Sequence, residues 1–339
     1  MKKKPVIAIT MGDPAGIGPE IIAKTAMNDG IYAVCKPFII GDAEIMKKII
    51  KESSLPITMQ RISSPPEIHL KPGVLNIIDC KNIDLEKHRW GIRDNASGTA
   101  VVEYITRAVT YCLNHEADAL VTGPLNKEVM NAAGHHFAGH TELLAHLTNT
   151  KNYGMMFVGG GLRLILVTIH MALKDVPAQI TEEQVLGIIR LAHNAVRDLG
   201  ITKPRIGVAA LNPHAGEAGL FGSEETDIIL PAIRKAREEG IDASDPVPAD
   251  TLFYKARNNQ YDIVVAMYHD QGLAPLKMIA FGNAVNITVG LPIIRTSVDH
   301  GTAYDIAGKG CADPASLIEA VKLAAIMAAN RQNRLQEKP

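Results

Sequence analysis

Short apolar runs alternate with longer segments of helical periodicity along the chain, and this alternation is the strongest constraint on its fold. The runs are rich in Val, Ile and Leu, and they fall at 6–10, 37–40, 73–78, 119–122, 155–158, 162–169, 206–211, 263–267 and 285–289. Helical spacing of apolar residues predicts helices at 43–51, 97–115, 182–199, 224–239 and 314–329. Buried parallel strands read as continuous apolar runs, and a helix usually connects one to the next. The pattern therefore predicts an α/β fold with mostly parallel sheets.

Length, charge and cysteine content exclude several other kinds of protein. At about 150 residues per domain, a chain of 339 residues predicts two domains. A net charge of -1 gives no general attraction to nucleic acid or to anionic membranes. No apolar run approaches the roughly 20 residues that span a bilayer. The four cysteines form no CxxC pair, so we expect no disulfide framework, no zinc–cysteine site and a cytoplasmic location.

Three of the apolar runs end at a histidine, and the three residues are His170, His214 and His269. Ligands of α/β sheets bind beyond the carboxyl ends of the strands, so these imidazoles are candidates for one divalent-metal site. Zn²⁺ is the first expectation because imidazole suits it, and Mg²⁺, Mn²⁺, Co²⁺ and Ni²⁺ are the alternatives. The competing interpretation is three ordinary loop histidines, because they lie far apart in the sequence.

Five further residues are suited to an anionic ligand: His140, Thr141, Lys277, Asn286 and Arg295. The first two open a predicted helix, where free backbone N–H groups and a hydroxyl favour a phosphate or carboxylate. The other three place two cations and an amide in segments punctuated by Gly and Pro. A helix cap and ordinary solvated charge are the respective alternatives.

The segment Val298–Gly310 is the most specific local string in the sequence. It reads VDHGTAYDIAGKG and is similar to the adenosine-binding loop of the isopropylmalate and isocitrate dehydrogenases. That similarity implies a bound NAD, with NADP as the alternative, held by His300, Gly301, Thr302, Ala303 and Asp305. Tyr304 departs from the similar loops, in which proline is usual. A glycine-rich loop without a ligand is the competing interpretation.

Long matching strings in the same order make the chain resemble one family, the 4-hydroxythreonine-4-phosphate dehydrogenases or PdxA family, over essentially its whole length. The matching segments are 11–20, 122–127, 139–142, 211–217, 248–253, 267–272 and 285–310. The resemblance implies a homodimer whose active site includes residues of the partner subunit. It also implies that the three strand-end histidines bind the metal, and that the substrate is contacted by His140, Thr141, Lys277, Asn286 and Arg295.

The same resemblance implies two α/β/α domains like those of the isocitrate and isopropylmalate dehydrogenases. Residues 1–130 and 297–339 are expected to form the first domain, which carries the cofactor loop. Residues 131–296 are expected to form the second domain, which carries metal and substrate ligands and dimer contacts.

The family implies a reaction class, metal-dependent and NAD(P)-linked oxidative decarboxylation of a 4-phosphorylated C4 hydroxy acid. The stretch 277–286 is more similar to the branch that converts D-threonate or D-erythronate 4-phosphate to dihydroxyacetone phosphate and CO2, which is therefore the expected reaction. The alternative is conversion of 4-hydroxy-L-threonine 4-phosphate to 3-amino-2-oxopropyl phosphate in pyridoxal phosphate synthesis. Lys127, Asp250 and Asp270 are the candidates for the residue that moves a proton.

Two classes of protein outside the dehydrogenases also account for part of the pattern. A zinc hydrolase would use the three histidines, but it would leave the loop 300–310 without a role. A non-catalytic protein that binds a phosphosugar would use Lys277 and Arg295, but it would leave the histidines unexplained.

Overall fold

The computed structural model describes residues 4–336, which fall into two compact units. The first unit contains the chain up to Lys151 and again from Leu291, and the second contains Asn152–Gly290. Within the described part of the chain, no helix is both long enough and apolar enough to cross a membrane.

The unit boundaries differ in place from the domain boundaries expected from sequence. Residues 131–151 and 291–296, expected in the second domain, make their contacts in the first unit. Residues 291–296 belong to the first unit because the strand Arg295–Ser297 pairs with Leu120–Thr122. The ends of the expected first domain, 1–3 and 337–339, lie outside the described residues.

The strands of the two units are numbered in chain order. They are β1 (Val6–Thr10), β2 (Lys36–Gly41), β3 (Thr58–Arg61), β4 (Val74–Asp79), β5 (Ala119–Thr122), β6 (Gly154–Gly159), β7 (Leu162–Leu166), β8 (Arg205–Ala209), β9 (Asp242–Val247), β10 (Ile263–Ala266), β11 (Val285–Val289) and β12 (Arg295–Ser297).

The helices are α1 (Gly18–Thr25), α2 (Asp29–Val34), α3 (Ala43–Glu52), α4 (Asn95–Leu113), α5 (Lys127–Ala132), α6 (His140–Leu147), α7 (Val176–Gln179), α8 (Glu182–Asp198), α9 (Leu230–Glu238), α10 (Ala249–Arg257), α11 (His269–Ala280) and α12 (Ala315–Gln336). Several begin at a side-chain cap that satisfies free N–H groups of the first turn. Asp42 accepts from Glu44 N at 2.9 Å before α3, and Asp94 accepts from Ser97 N at 2.8 Å in α4.

In the first unit, six strands form a sheet in the order β3–β4–β2–β1–β5–β12, and every neighbouring pair is parallel. Parallel strands end at the same edge of a sheet. The segments 11–20, 123–127 and 298–310 follow the adjacent strands β1, β5 and β12, so they leave this sheet side by side. The buried side chains of Ile9 and Phe38 lie within the core of this unit.

In the second unit, the strand order is β11–β6–β7–β10–β8–β9. The β11–β6 and β6–β7 pairs are antiparallel, and β7–β10, β10–β8 and β8–β9 are parallel. Leu164 and Val264 of the sheet share a buried cluster with Leu252 of α10 and Leu276 of α11. Both units confirm the predicted fold class, an α/β protein with mostly parallel sheets.

Candidate active site

The three strand-end histidines follow strands that are direct neighbours in the second unit. His170 follows β7, His269 follows β10 and His214 follows β8, and these strands lie in the order β7–β10–β8 with parallel pairing. The side chains of Thr168 and Gln271 reinforce this edge. The Thr168 hydroxyl donates to Met267 O at 2.8 Å, and Gln271 Nε2 donates to Ala210 O at 2.7 Å.

Two of these histidines are close together. The imidazole centroids of His170 and His269 lie 5.5 Å apart, with 44° between the ring planes. His269 Nδ1 lies 2.7 Å from an Asp270 carboxylate oxygen. An ionised carboxylate only accepts, so Nδ1 donates and Nε2 is left with a lone pair for a metal ion. This donor set fits a divalent cation that prefers imidazole nitrogen.

His214 lies in a left-handed turn beside Phe221, and the ring centroids of these two residues are 6.3 Å apart. His214, Ala215, Glu217 and Ala218 all have φ between 44° and 56°. A left-handed backbone costs a non-glycine residue about 1–2 kcal/mol, so neighbouring groups must stabilise this turn. Among residues 4–336, no group of three or more His, Cys, Asp or Glu side chains converges tightly enough to hold a metal ion.

Glu225 is the residue that fixes the start of this turn. Its buried carboxylate accepts from Leu211 N at 2.8 Å, from Asn212 N at 2.7 Å and from Asn212 Nδ2 at 3.1 Å. Glu225 begins a single turn of π-helix, Glu225–Ile229, immediately before α9. Such turns are rare and occur frequently at functional sites.

In the first unit, Arg295, His140 and Lys127 form a basic group in which Arg295 is buried and His140 is half-buried. Arg295 lies on β12 and its Nη2 donates to Thr122 Oγ1 on β5 at 2.8 Å. Burial lowers the pKa of Arg295 to about 9, and the Glu142 carboxylate opposes that change. The guanidinium therefore keeps its charge at neutral pH.

His140 is held neutral beside that charge. Burial, followed by the positive charges of Arg295 and Lys127, holds the pKa of His140 well below its ordinary value, although a hydrogen bond to the Gly123 backbone opposes this. Its Nε2 atom is buried and has no hydrogen-bond partner within the described residues. A buried polar atom without a partner is costly, so it marks a place where a ligand atom is expected.

The remaining candidates for substrate and proton contacts are distributed over both units. Thr141 is buried in the first turn of α6, and a Cβ added at Gly139 would lie 3.9 Å from Lys127 Nζ. In the second unit, Asn286 lies on β11 opposite Phe157. Lys277, in the last turn of α11, places its Nζ 5.7 Å from the centroid of Phe281. Asp250 is exposed in the first turn of α10.

The predicted cofactor loop leaves β12 at the same sheet edge as the basic group. His300 Nδ1 lies 3.0 Å from Gly301 O, while its Nε2 is buried without a hydrogen-bond partner in the described structure. Thr302 is buried, Ala303 has a positive φ of 40°, and Gly301 and Asp305 are exposed. A partly exposed loop that contains an imidazole nitrogen without a hydrogen-bond partner fits a polar ligand such as a dinucleotide.

Sequence reasoning missed the residues that hold the candidates in place. Thr122 contacts Arg295, Glu225 fixes the turn of His214, and Gln271 joins the ends of β8 and β10. The available signal for Thr122 was a polar residue at the end of an apolar run, and Gln271 follows the strand-end His269 by two positions. No local pattern distinguished Glu225 from the other acidic residues of its helix.

Comparison with known proteins gives matches over most of the chain. The family model described as "Pyridoxal phosphate biosynthetic protein PdxA" matches residues 33–324. A 4-hydroxythreonine-4-phosphate dehydrogenase from Desulforapulum autotrophicum is 47% identical, over 98% of this chain and 99% of its own. A D-threonate 4-phosphate dehydrogenase from Cupriavidus necator is also 47% identical, over 96% of this chain and 98% of its own.

A solved structure gives the same result at the level of the fold. The crystal structure of 4-hydroxythreonine-4-phosphate dehydrogenase from Klebsiella pneumoniae superposes with a TM-score of 0.90 at 41% identity, and the match covers 96% of this chain and 100% of that one. The named relatives are dehydrogenases, so this protein is an oxidoreductase, and neither the hydrolase nor the non-catalytic alternative is supported. The chain belongs to the PdxA family.

Proposed function

We propose that this enzyme oxidises and decarboxylates a 4-phosphorylated C4 hydroxy acid, D-threonate or D-erythronate 4-phosphate, to dihydroxyacetone phosphate and CO2. The main observation in support of this proposal is the buried, charged Arg295 together with a neutral His140. The Nε2 atom of His140 has no hydrogen-bond partner within the described residues. A buried guanidinium beside a half-buried imidazole is suited to the phosphate or carboxylate of such a substrate. The sugar-acid substrate rests on the stretch 277–286 and on the relative from Cupriavidus necator.

The residues of this chain divide the work of the proposed reaction. When bound, NAD or NADP supplies the hydride acceptor, and a divalent cation, Zn²⁺ or one of the alternatives, supplies a Lewis acid. Arg295, His140 and Thr141 bind and orient the anionic groups, which fixes the reacting carbon in one position. Lys277 and Asn286 are proposed as further substrate contacts.

Proton movement in this proposal is assigned to Lys127. Oxidation of the C3 hydroxyl releases a proton, and the carbon that loses CO2 must take one up. Lys127 Nζ lies near Gly139 at the start of α6, and its charge acts on His140. Asp270 is instead assigned to orient His269, with which it shares a hydrogen bond. Asp250 is retained as the other candidate, since it is exposed and free of such a role.

A substrate panel on the metal-loaded enzyme tests the reaction. NAD reduction is followed with D-threonate 4-phosphate, D-erythronate 4-phosphate and 4-hydroxy-L-threonine 4-phosphate, and kcat/KM is expected to be highest for one of the sugar acids. A higher value for the amino acid would establish the alternative reaction, in agreement with the relative from Desulforapulum autotrophicum. If all three leave NAD oxidised while metal is bound, the substrate assignment is wrong.

Two arginine variants test the proposed role of Arg295 in substrate binding. Arg295→Lys keeps a charge but loses the forked donors, so kcat/KM is expected to fall by about 10- to 100-fold, as for loss of a hydrogen bond to a charged group. Arg205→Lys is the matched control, because Arg205 is an exposed arginine paired with Asp262 in the second unit. Equal kcat/KM values for the two variants would contradict the role of Arg295.

The metal role is tested by elemental analysis of dialysed protein. His170→Ala and His214→Ala are each expected to lose bound metal, whereas the exposed His136→Ala is expected to retain it. Wild-type metal content in His214→Ala would exclude that residue as a ligand.

We also propose a cytoplasmic homodimer whose active site includes residues of the partner subunit. The exposed apolar side chains of the second unit support the homodimer.

A further inference from the structure

The loop 300–310 is fastened to the turn that follows β1 by backbone and side-chain hydrogen bonds. Ile17 N donates to Thr302 O at 3.0 Å. At the far end of the loop, the buried Glu20 carboxylate accepts from Gly310 N at 3.2 Å and from Ala312 N at 2.7 Å. These contacts lie within the first unit and hold both ends of the loop.

The loop 300–310 and the segments beside it are too close together for a side chain to fit at three glycine positions. A Cβ at Gly16 would lie 2.8 Å from Thr302 O, and one at Gly91 would lie 2.6 Å from Tyr304 O. A Cβ at Gly308 would lie 2.5 Å from the Trp90 ring. Real Cβ atoms do not approach so closely, so the loop rests directly on the segments that contain residues 16 and 90–91.

Tyr304 adds a side-chain link in the middle of the loop. Its hydroxyl donates to Asp13 Oδ2 at 2.5 Å. Asp13 is buried, and its other oxygen accepts from Ala15 N at 2.9 Å. Arg93 lies against the tyrosine ring, with its Cζ atom 5.6 Å from the centroid. Tyr304 therefore joins the loop to the turn after β1 and to the residues just before α4.

We propose that Tyr304 is a positioning residue that, through Asp13, holds the loop 300–310 in the conformation that receives the nicotinamide dinucleotide. This inference rests on the proposed function, because that function assigns the cofactor to the loop. A loop that is ordered before binding loses less conformational entropy on binding, so the affinity is higher. The hydroxyl is committed to Asp13, so Tyr304 acts through the shape of the loop.

Tyr304→Phe tests the inference by direct titration of the full-length protein with NAD. Removing the hydroxyl takes a charge-assisted hydrogen bond from a buried carboxylate, and the Kd for NAD is expected to rise about tenfold, which corresponds to about 1.4 kcal/mol. The KM for NAD should rise in parallel. The KM for the phosphorylated substrate and kcat at saturating NAD should stay at wild-type values.

Tyr32→Phe is the matched control. The Tyr32 hydroxyl donates to Ala26 O at 3.0 Å and lies 3.1 Å from Val74 O, in the same unit but away from the loop. Its loss is expected to lower the free energy of unfolding without changing the Kd for NAD. Equal Kd changes in the two variants would reduce Tyr304 to a general stabilising residue and overturn the inference.

The remaining outcomes separate the inference from the function on which it rests. If wild-type protein does not bind NAD or NADP, both the proposed function and the inference are wrong. If wild type binds and Tyr304→Phe binds equally well, only the inference is wrong. Should Tyr304→Phe not fold, Asp13→Asn provides the same test, because its amide oxygen accepts without a charge: a raised Kd supports the inference and an unchanged Kd overturns it.

Discussion

A buried cation, Arg295, and a half-buried imidazole, His140, interact electrostatically in the basic group of the first unit. Arg295 carries a charge at neutral pH despite its burial, whereas His140 is held neutral by burial and by that same charge. The pair thus combines one permanent cation with a neutral imidazole. An anionic group is attracted by the first and can exchange a hydrogen bond with the second.

The depressed pKa of His140 predicts a pH dependence of stability. Between the folded pKa and the ordinary value of 6.5, the unfolded chain binds a proton at His140 that the folded protein does not bind. The free energy of unfolding must therefore fall as the pH is lowered through 6.5. Urea unfolding at pH values of about 7 and about 5 should show a smaller loss of stability in His140→Gln than in wild type.

His88 supplies a positive control for that measurement. Burial lowers the pKa of His88 as well, and its Nε2 lies 3.0 Å from Pro14 O. A double variant with His88→Gln and His140→Gln should lose still less stability on acidification than His140→Gln alone. Identical pH dependence of wild type and His140→Gln would show that His140 titrates normally.

At the scale of single residues, candidate ligand-binding residues could be predicted from the sequence. The residues that hold them in place could not. Histidines at strand ends stand out because their position has a chemical meaning in α/β folds. The Asp13–Tyr304 hydrogen bond joins residues 291 positions apart, and Thr122 meets Arg295 across 173 positions. Contacts at that separation depend on strand order, which apolar runs do not specify.

At the scale of elements, the left-handed turn around His214 is the clearest departure from what apolar patterning predicts. The pattern 206–211 predicts where the strand ends, and the structure ends it at Ala209. The direction of the following turn depends on Glu225 and Asn212, whose hydrogen bonds close only in the folded unit. Local propensity disfavours this conformation, so it could not be predicted from the residues of the turn.

Ala215→Gly tests whether the turn is strained. Ala215 has φ 56° and ψ 43°, a conformation that glycine adopts at no steric cost. Relief of about 1–2 kcal/mol of strain should outweigh the greater entropy of unfolded glycine, about 0.4–1 kcal/mol, and raise the free energy of unfolding by about 0.5 kcal/mol.

Ala329→Gly is the matched control within the right-handed helix α12, where the same substitution should lower stability by about 1 kcal/mol. Chemical unfolding measures both variants. A loss of stability in Ala215→Gly of the same size as in Ala329→Gly would show that the turn carries no strain.

Element prediction succeeded where burial makes a run continuously apolar and failed where it does not. Every predicted strand is present within a few residues. The strand β12 was not predicted because Arg295–Ser297 is polar, although all three residues are buried. The strands β3 and β9 lie at sheet edges, and β9 contains Pro246 at a register shift, so neither has an apolar pattern.

At the scale of the whole molecule, apolar side chains are exposed on the second unit. Met278 is 83% exposed and Phe281 is 81% exposed, both near the end of α11, and Leu220 is 72% exposed. Exposed apolar side chains, such as the neighbouring Met278 and Phe281, commonly mark a protein interface. They support the proposed homodimer.

Met278→Glu is expected to convert a dimer to a monomer, because burying an unpaired carboxylate in an apolar interface is costly. Light scattering after size-exclusion chromatography measures the mass. Leu335→Glu is the control, since Leu335 is 65% exposed near the end of α12 in the first unit and should leave the mass unchanged. A dimeric Met278→Glu would exclude this surface from the interface.

The fold class follows from the sequence because alternation of strands and helices is a global property. The family resemblance also implies that residues 297–339 return to the first domain, but it does not place 291–296 there, where β12 begins and pairs with β5. Only the pairing of these distant strands assigns 291–296 to the first unit.

That return of the chain has a consequence for biosynthesis. During translation, residues 152–290 are synthesised before Arg295, so the first unit lacks its sixth strand throughout the synthesis of the second unit. The edge of β5 stays unpaired until synthesis is nearly finished, which is a condition that favours aggregation. Because Arg295 lies on that last strand, the basic group forms only when the sheet closes.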